Sequence, residues 1–103
     1  MAKKREGVEH TTVSTNSAIK TSACIYYGCT VRNATTAGVH ALIYDAKATA
    51  AGTLTDVARA AAGTNQVGGN YFPNGVIMHS GIYLSAVLCT SASDTIVVFY
   101  GGV

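Results

Sequence analysis

Short segments rich in β-branched and aromatic residues recur along this chain, and no segment has a convincing helical period. Strands are predicted at residues 22–27, 29–33, 39–45, 76–79, 81–88 and 95–100, with Gly-, Ser- and Asn-rich turns between them. Short strands at this spacing are typical of all-β sandwiches and barrels. A chain of 103 residues has room for one such domain. We therefore predict a single antiparallel β-sandwich of jelly-roll-like type.

Two of these segments predict central strands. Val39–Asp45 carries apolar side chains on both faces, which is typical of a strand covered on each side or buried in a subunit contact. Residues 95–100, Thr-Ile-Val-Val-Phe-Tyr, contain no charge. Such a strand would template aggregation at an open edge, so it must lie inside a sheet or be covered by another subunit.

Other segments are less regular. Residues 53–62 begin with weak alternation and end in an Ala-rich run; we favour a strand followed by a loop, with a helical turn as the alternative. By composition, residues 63–70 are predicted to be a loop. Pro73-Asn74-Gly75 predicts a turn because Pro fixes φ while Asn and Gly tolerate positive φ. Gly28, between two predicted strands, is expected at a bulge or kink.

Charge divides the chain at residue 20. Charged residues form 12% of the sequence, about half the usual share. The formal net charge of +2 lies wholly within residues 1–20, because the three cations and three acids of residues 21–103 cancel. We predict an extended N-terminal arm over 1–20 and a sandwich domain over 21–103. A neutral, sparsely charged domain is typical of an assembled subunit, and a monomer covered by Ser, Thr, Asn and Gly is the alternative.

Cysteine spacing and the N-terminus argue against secretion, metal binding and membrane insertion. The start of the chain is charged and no apolar signal segment follows it, so we expect reduced thiols. Cys24, Cys29 and Cys89 show no zinc-knuckle spacing and are interpreted as packing residues. No run approaches the ~18 apolar residues of a membrane span. No cofactor is expected.

The residues also give little material for catalysis. His10 lies in the predicted arm, His40 on a strand face and His79 at a strand end, where packing or turn roles are expected. A Cys89–His79 nucleophile pair stays open, although nothing near Cys89 would lower its pKa. No Glu follows Glu9, which leaves no pair of carboxylates for acid–base chemistry. We predict that the protein is not an enzyme.

Partner binding is the better interpretation. The basic cluster at the N-terminus could bind an acidic protein surface. Adjacent Glu6 and Glu9 partly offset its charge, so we do not expect nucleic acid as a partner. The six tyrosines suit subunit contacts or sugar stacking. The candidate partner-binding residues are Lys3, Lys4, Arg5, Val8, Val13, Ile19, Tyr26 and Tyr83.

Several strand and turn motifs resemble those of small virion proteins of tailed bacteriophages. They are Ile43-Tyr44-Asp45, Ala50-Ala51-Gly52-Thr53, Phe72-Pro73-Asn74-Gly75-Val76, Ser80-Gly81-Ile82-Tyr83-Leu84 and Thr95-Ile96-Val97-Val98-Phe99-Tyr100. Together they span a little over half of the chain and describe turns and strands rather than a chemical site.

The resemblance implies a β-sandwich subunit of the virion, made in the host cytoplasm and located on the capsid surface. The expected role is capsid decoration, in which the protein binds the major capsid protein and stabilises the head. Proteins of this kind often self-associate as trimers, so a homotrimer is one expected form. A neck, tail or fibre-adaptor component is the first alternative. The second is a carbohydrate-binding module that uses Tyr26, Tyr27 or Tyr83.

Overall fold

The computed structural model describes residues 8–33, 38–49, 52–61, 63, 65–87 and 94–102. Within them the chain forms eight strands and no helix. The strands are β1 Glu9–Val13, β2 Ser17–Lys20, β3 Cys24–Asn33, β4 Val39–Asp45, β5 Thr53–Ala60, β6 Gln66–Met78, β7 Ile82–Val87 and β8 Thr95–Gly101. The predicted all-β class is confirmed.

The strands form two four-stranded sheets, in which every pairing is antiparallel. The order in the first sheet is β1-β8-β3-β6, and in the second it is β2-β7-β4-β5. Neighbours in each sheet are mostly distant in sequence, so the fold depends on long-range pairing. Both sheets contribute to one buried core.

Alternation along the strands builds this core. In β8, Ile96 and Val98 are buried while Val97 and Phe99 are half-buried, as period-2 geometry requires. The core residues of the first sheet include Cys24, Tyr26, Cys29, Val31, Met78, Ile96 and Val98. Those of the second sheet include Val39, Ala41, Ile43, Ala58, Ala60, Ile82 and Leu84.

The two strands predicted to be central are central. β8 lies between β1 and β3, and β4 lies between β7 and β5. The uncharged β8 segment is therefore covered on both of its edges by strands of the same chain. Residues 53–60 form a strand, as favoured over the helical turn, and Ala62 lies outside the described residues.

The predictions of a loop at residues 63–70 and a turn at Pro73-Asn74-Gly75 are wrong in part. β6 runs through both segments for 13 residues without reversing direction. Val76 pairs with Tyr26 and Tyr71 pairs with Gly28, so residues 72–75 bulge out opposite a single residue of β3. Turn-forming residues fit such a bulge because it needs the same backbone conformations, and Gly75 has a φ of 75°. The predicted irregularity at Gly28 is its counterpart on β3.

The predicted boundary at residue 20 does not separate an arm from the body. Residues 9–13 and 17–20 are β1 and β2, the outer strands of the two sheets. The hydroxyl groups of Thr11 and Tyr100 lie 2.8 Å apart, and the Ala86 amide donates to Asn16 Oδ1 at 2.7 Å. These two short edge strands contact the core through few apolar side chains, here Val13 and Ile19, which is why their polar composition misled the prediction.

Candidate interaction surface

The candidate residues of the first twenty positions have separate environments. Lys3, Lys4 and Arg5 lie outside the described residues. Val8 is half-buried next to β1. Val13 and Ile19 are half-buried and pack against the core, contrary to the prediction of an arm separate from the domain.

Tyr26 is not a surface residue, so its prediction as a partner-binding residue is wrong. Its side chain is fully buried, and its hydroxyl donates to Asp56 Oδ2 at 2.7 Å. Its ring lies 6.0 Å from that of Phe72 in a tilted arrangement. The alternation of side chains along a strand explains the error. Tyr26 lies on the inward face of β3 together with Cys24, whereas Tyr27 lies on the outward face.

Tyr83 lies on the outer face of the second sheet. It is half-buried, and its neighbours Ile82 and Leu84 point into the core. It pairs directly with Tyr44 of β4, which is also half-buried. These two tyrosines are therefore cross-strand neighbours on that face.

Exposed apolar side chains concentrate elsewhere, on β5 and β6. The exposed large hydrophobic residues of the described chain are 41% to 67% accessible, and they are Leu54, Val57, Val67, Tyr71 and Ile77. All of them lie on these two strands, which are edge strands of the second and the first sheet and follow each other in sequence. The strands lie side by side, since a Cβ added at Gly68 would meet the carbonyl oxygen of Arg59. We call these side chains, together with Arg59, the β5–β6 edge.

Exposed apolar residues of this kind mark interaction sites more often than a single surface Leu does. Sequence reasoning missed the edge because residues 63–75 were predicted to be loop and turn. The available sign was the absence of any Asp, Glu, Lys or Arg over Gln66–Met78, which is unusual for a long edge strand.

The three aspartates after residue 20 are either buried or hydrogen-bonded to backbone N–H groups. Asp56 and Asp94 are buried. The Asp45 carboxylate accepts the backbone N–H groups of His79 at 2.9 Å and Ser80 at 2.7 Å. Burial, the largest single influence, acts to raise the pKa of Asp45, but the backbone N–H groups together outweigh it and the pKa is lowered.

Cations consequently dominate the outward charge. Arg32, Lys47 and Arg59 are exposed, whereas Glu9 is the exposed carboxylate among the described residues. Arg32 pairs across the strands with Val67, and its Nη2 donates to Asn65 Oδ1 at 2.7 Å. Both arginines lie toward the 61–65 connection, Arg32 on the outer face of the first sheet and Arg59 on the outer face of the second.

A polar cluster around the buried Asp56 connects β5 and β6 to the rest of the fold. Asn70 of β6 donates through Nδ2 to Asp56 Oδ1 at 2.7 Å and to the Val57 carbonyl at 3.0 Å. Tyr26 donates to the other oxygen of Asp56, so one carboxylate of the second sheet holds two strands of the first. Burial raises the pKa of Tyr26, and it raises that of the neighbouring Cys29 thiol to about 11. Both groups are therefore protonated at neutral pH.

The other candidates for chemistry occupy scattered positions. Cys24 and Cys29 are buried free thiols. His10 lies with its ring 6.3 Å from Phe99, His40 is half-buried and His79 is exposed. Cys89 lies outside the described residues, so its suggested pairing with His79 is not described.

Among the described residues no three His, Cys, Asp or Glu side chains converge as a metal site would require. No helix capable of crossing a membrane occurs in the same part of the chain. Protein-family models, curated proteins and solved structures were compared with the chain, and none matched.

Proposed function

We propose that this chain is a virion structural protein of a tailed bacteriophage, and that it decorates the capsid by binding the major capsid protein. The observation that carries the proposal is the β5–β6 edge, a set of exposed apolar side chains on a chain whose acids after residue 20 are buried or hydrogen-bonded. A surface of this composition suits permanent contact with another protein. Residence on the head surface after synthesis in the host cytoplasm follows from this role.

The fold supports the proposal. A jelly roll of eight strands places its first, eighth, third and sixth strands in one sheet and its second, seventh, fourth and fifth in the other, which is the order found here. We therefore propose a jelly-roll sandwich for the chain. Viral capsid proteins and lectins both use this architecture, so it favours a binding or assembly role without choosing between them.

The sequence motifs favour the assembly role. Those around Tyr44, Tyr83 and Tyr100 lie on β4, β7 and β8, the strands that build the centres of the two sheets. The resemblance to phage virion proteins thus concerns residues that define this fold. Residues 1–7, with Lys3, Lys4 and Arg5, precede β1 in sequence, and we propose that this segment binds neighbouring capsid proteins. Self-association as a homotrimer would multiply such weak contacts.

Binding to heads tests the proposal. Heads from a phage strain with this gene deleted are mixed with the purified protein, and co-sedimentation and the temperature of DNA release are measured. We expect saturable binding and a higher release temperature, because a ligand that binds only the intact shell stabilises it. Failure to bind the deleted heads would refute the decoration role.

The neck, tail or fibre-adaptor role differs from decoration in location and copy number. A protein of that kind would co-sediment with tails or complete particles but not with isolated heads. The same mixing experiment, repeated with purified tails, separates these two roles.

A carbohydrate-binding role is the second alternative, and the Tyr44–Tyr83 pair is the observation that favours it. Stacking on a sugar requires an accessible ring, which excludes the buried Tyr26. Binding to a glycan panel that is lost in Tyr83→Ala and Tyr44→Ala would support this role. An enzymatic role is not proposed, nor is a cofactor.

A further inference from the structure

We infer that the outer face of the first sheet binds the same face of a second copy of this chain. The inference deepens the proposed function, because it names the surface through which copies self-associate. It assigns the β6 residues of the β5–β6 edge to that contact and leaves Leu54 and Val57, on the outer face of the second sheet, for the capsid. Only this last assignment rests on the proposed function.

Strand register defines the outer face of the first sheet. Residues opposite one another on neighbouring strands point to the same side of a sheet. Register joins β3 to β6 and β8 at three levels, which are Arg32 with Val67 and Thr95, Thr30 with Gly69 and Val97, and Gly28 with Tyr71 and Phe99. The buried Cys29 and Val31 alternate with these positions, so the positions face outward. We call the apolar side chains of this face the first-sheet surface; they are Tyr27, Val67, Tyr71, Ile77, Val97 and Phe99.

The described chain leaves most of the first-sheet surface uncovered. Val67, Tyr71 and Ile77 are 67%, 56% and 60% exposed. Tyr27 is half-buried, because the bulge of β6 lies against it and a Cβ added at Gly75 would be 3.1 Å from its ring. The uncharged strand β8 therefore has both edges covered within the chain, while its outward side chains lie on an open face.

Charge on this face is confined to one end. Among the described residues of the face, Arg32 is the only Asp, Glu, Lys or Arg, and it lies next to the last residue of β3. Glu9 pairs with Tyr100, which alternates with Phe99, so its side chain belongs to the other side of β1. A partner that covers the centre of the face therefore needs apolar side chains and no particular charge.

A second copy provides such a surface. A two-fold axis through the middle of β3 would place the Arg32 residues of the two copies at opposite ends of the contact, roughly 20 Å apart. This separation exceeds the Debye length of about 8 Å at physiological salt, so their repulsion is screened. Homodimer interfaces are also more apolar than contacts between different proteins, which favours a second copy over another partner. Because both copies use the same face, the contact closes at two copies, and the dimer takes the place of the homotrimer.

The face is large enough for a stable contact. With a strand spacing of ~4.8 Å and a rise of ~3.3 Å per residue, the four strands cover roughly 550 Å² in plan. Side-chain relief raises the accessible area toward the ~800 Å² that each partner buries in a standard interface. Sheets pack face to face in this manner within β-sandwiches, so the arrangement needs no new kind of contact.

Solution mass tests the inference. Sedimentation equilibrium over a range of concentrations gives the molar mass and the dissociation constant of the wild type and of Val67→Asn and Ile77→Asn. The matched controls are Val57→Asn and Leu54→Asn, which replace exposed apolar side chains on the other edge strand, β5, and on the outer face of the other sheet. Circular dichroism and thermal unfolding verify that each variant folds.

We expect a wild-type dimer of twice the 10.6 kDa chain mass. Each first-sheet variant should weaken the dimer about tenfold, and the controls should leave it unchanged. The dimer should persist at ~1 M salt, because burial of apolar surface does not depend on charge. A monomer at every concentration, a trimer, or a dimer that the controls weaken equally would overturn the inference.

Head binding separates the inference from the proposed function. A dimer that Val67→Asn weakens, but that does not bind heads from the gene-deleted strain, would refute the proposed function and leave the self-association surface standing. A chain that binds these heads as a monomer would overturn the inference and leave the proposed function standing. Where both hold, Val57→Asn should weaken head binding without changing the dimer.

Discussion

At the scale of single residues, Asp56 is the most informative side chain. It is buried, and it accepts hydrogen bonds from Tyr26 and Asn70. Sequence reasoning predicted buried thiols, since free cysteines commonly pack in cores. It could not predict this cluster, because the three residues come from different strands and meet only after both sheets have formed.

Removal of the Asp56 carboxylate should destabilise the protein strongly. Asp56→Ala leaves the buried Tyr26 hydroxyl without its acceptor and removes one of the two hydrogen bonds of Asn70, at a cost of about 3 kcal/mol in the free energy of unfolding. Tyr26→Phe removes one hydrogen bond to the carboxylate and should cost about 2 kcal/mol. Urea unfolding measures both. Thr55→Ala on the same strand is the control, and the account fails if Tyr26→Phe is no more costly than this control.

The raised pKa of Cys29 leads us to expect a loss of stability at alkaline pH. Its pKa is raised from 9.0 to about 11 in the folded protein, chiefly by burial. Between these values the unfolded thiol loses its proton while the folded thiol retains it, so the unfolded state binds fewer protons and stability falls as pH rises. The contribution is present below pH 9 and decreases by about 1 kcal/mol per pH unit above it. Urea unfolding from pH 8 to about 11 should show a shallower decline in Cys29→Ala; equal declines would contradict this assignment.

At the scale of elements, the regular strands were predictable and the edges were not. The sequences of β4, β7 and β8 predict strands through their alternation and β-branched content, because central strands are rich in apolar residues. The composition of β1 and β2 predicted an extended arm, because these edge strands contact the core through few side chains. β6 looks like a loop and a turn, since its glycines and Pro73 suit an edge strand with a bulge equally well.

Truncation separates the two interpretations of the first twenty residues. Deletion of residues 1–7 should leave stability unchanged, because β1 begins at Glu9. Deletion of residues 1–20 removes β1 and β2, uncovers the edges of β8 and β7, and strips Val13 and Ile19 from the core. We expect the longer truncation to aggregate or unfold by circular dichroism and size-exclusion chromatography. A stable, monodisperse product would restore the view that 1–20 is a separate arm.

The lowered pKa of Asp45 leads us to expect that the β6–β7 connection is sensitive to acid. Its pKa lies below the ordinary value of 3.8, because the N–H bonds outweigh the effect of burial. A lowered pKa contributes stability above pH 3.8, and this stability is lost as pH falls through the folded value. The protection factor of the Ser80 amide, which corrects for the pH dependence of intrinsic exchange, should fall below that pH in the wild type. In Asp45→Asn it should be low at neutral pH already, and equal protection in both proteins would rule out the carboxylate as the anchor.

At the scale of the whole molecule, residues 21–103 carry no net charge, and exposed apolar side chains lie on β5 and β6. Composition alone predicted an assembled subunit, because a domain with so few charges lacks the means to oppose association. It did not locate the exposed apolar side chains, most of which lie on β6, a segment predicted to be loop and turn. The central claim is that this molecule covers the phage head in many copies.

The copy number in purified particles tests this claim most directly. Quantitative mass spectrometry with isotope-labelled peptides gives the molar ratio of this protein to the major capsid protein. We predict a ratio of the order of one copy per capsid subunit or per capsomer. Absence of the protein from purified particles, or a ratio as low as that of a single portal or tail ring, would contradict the account.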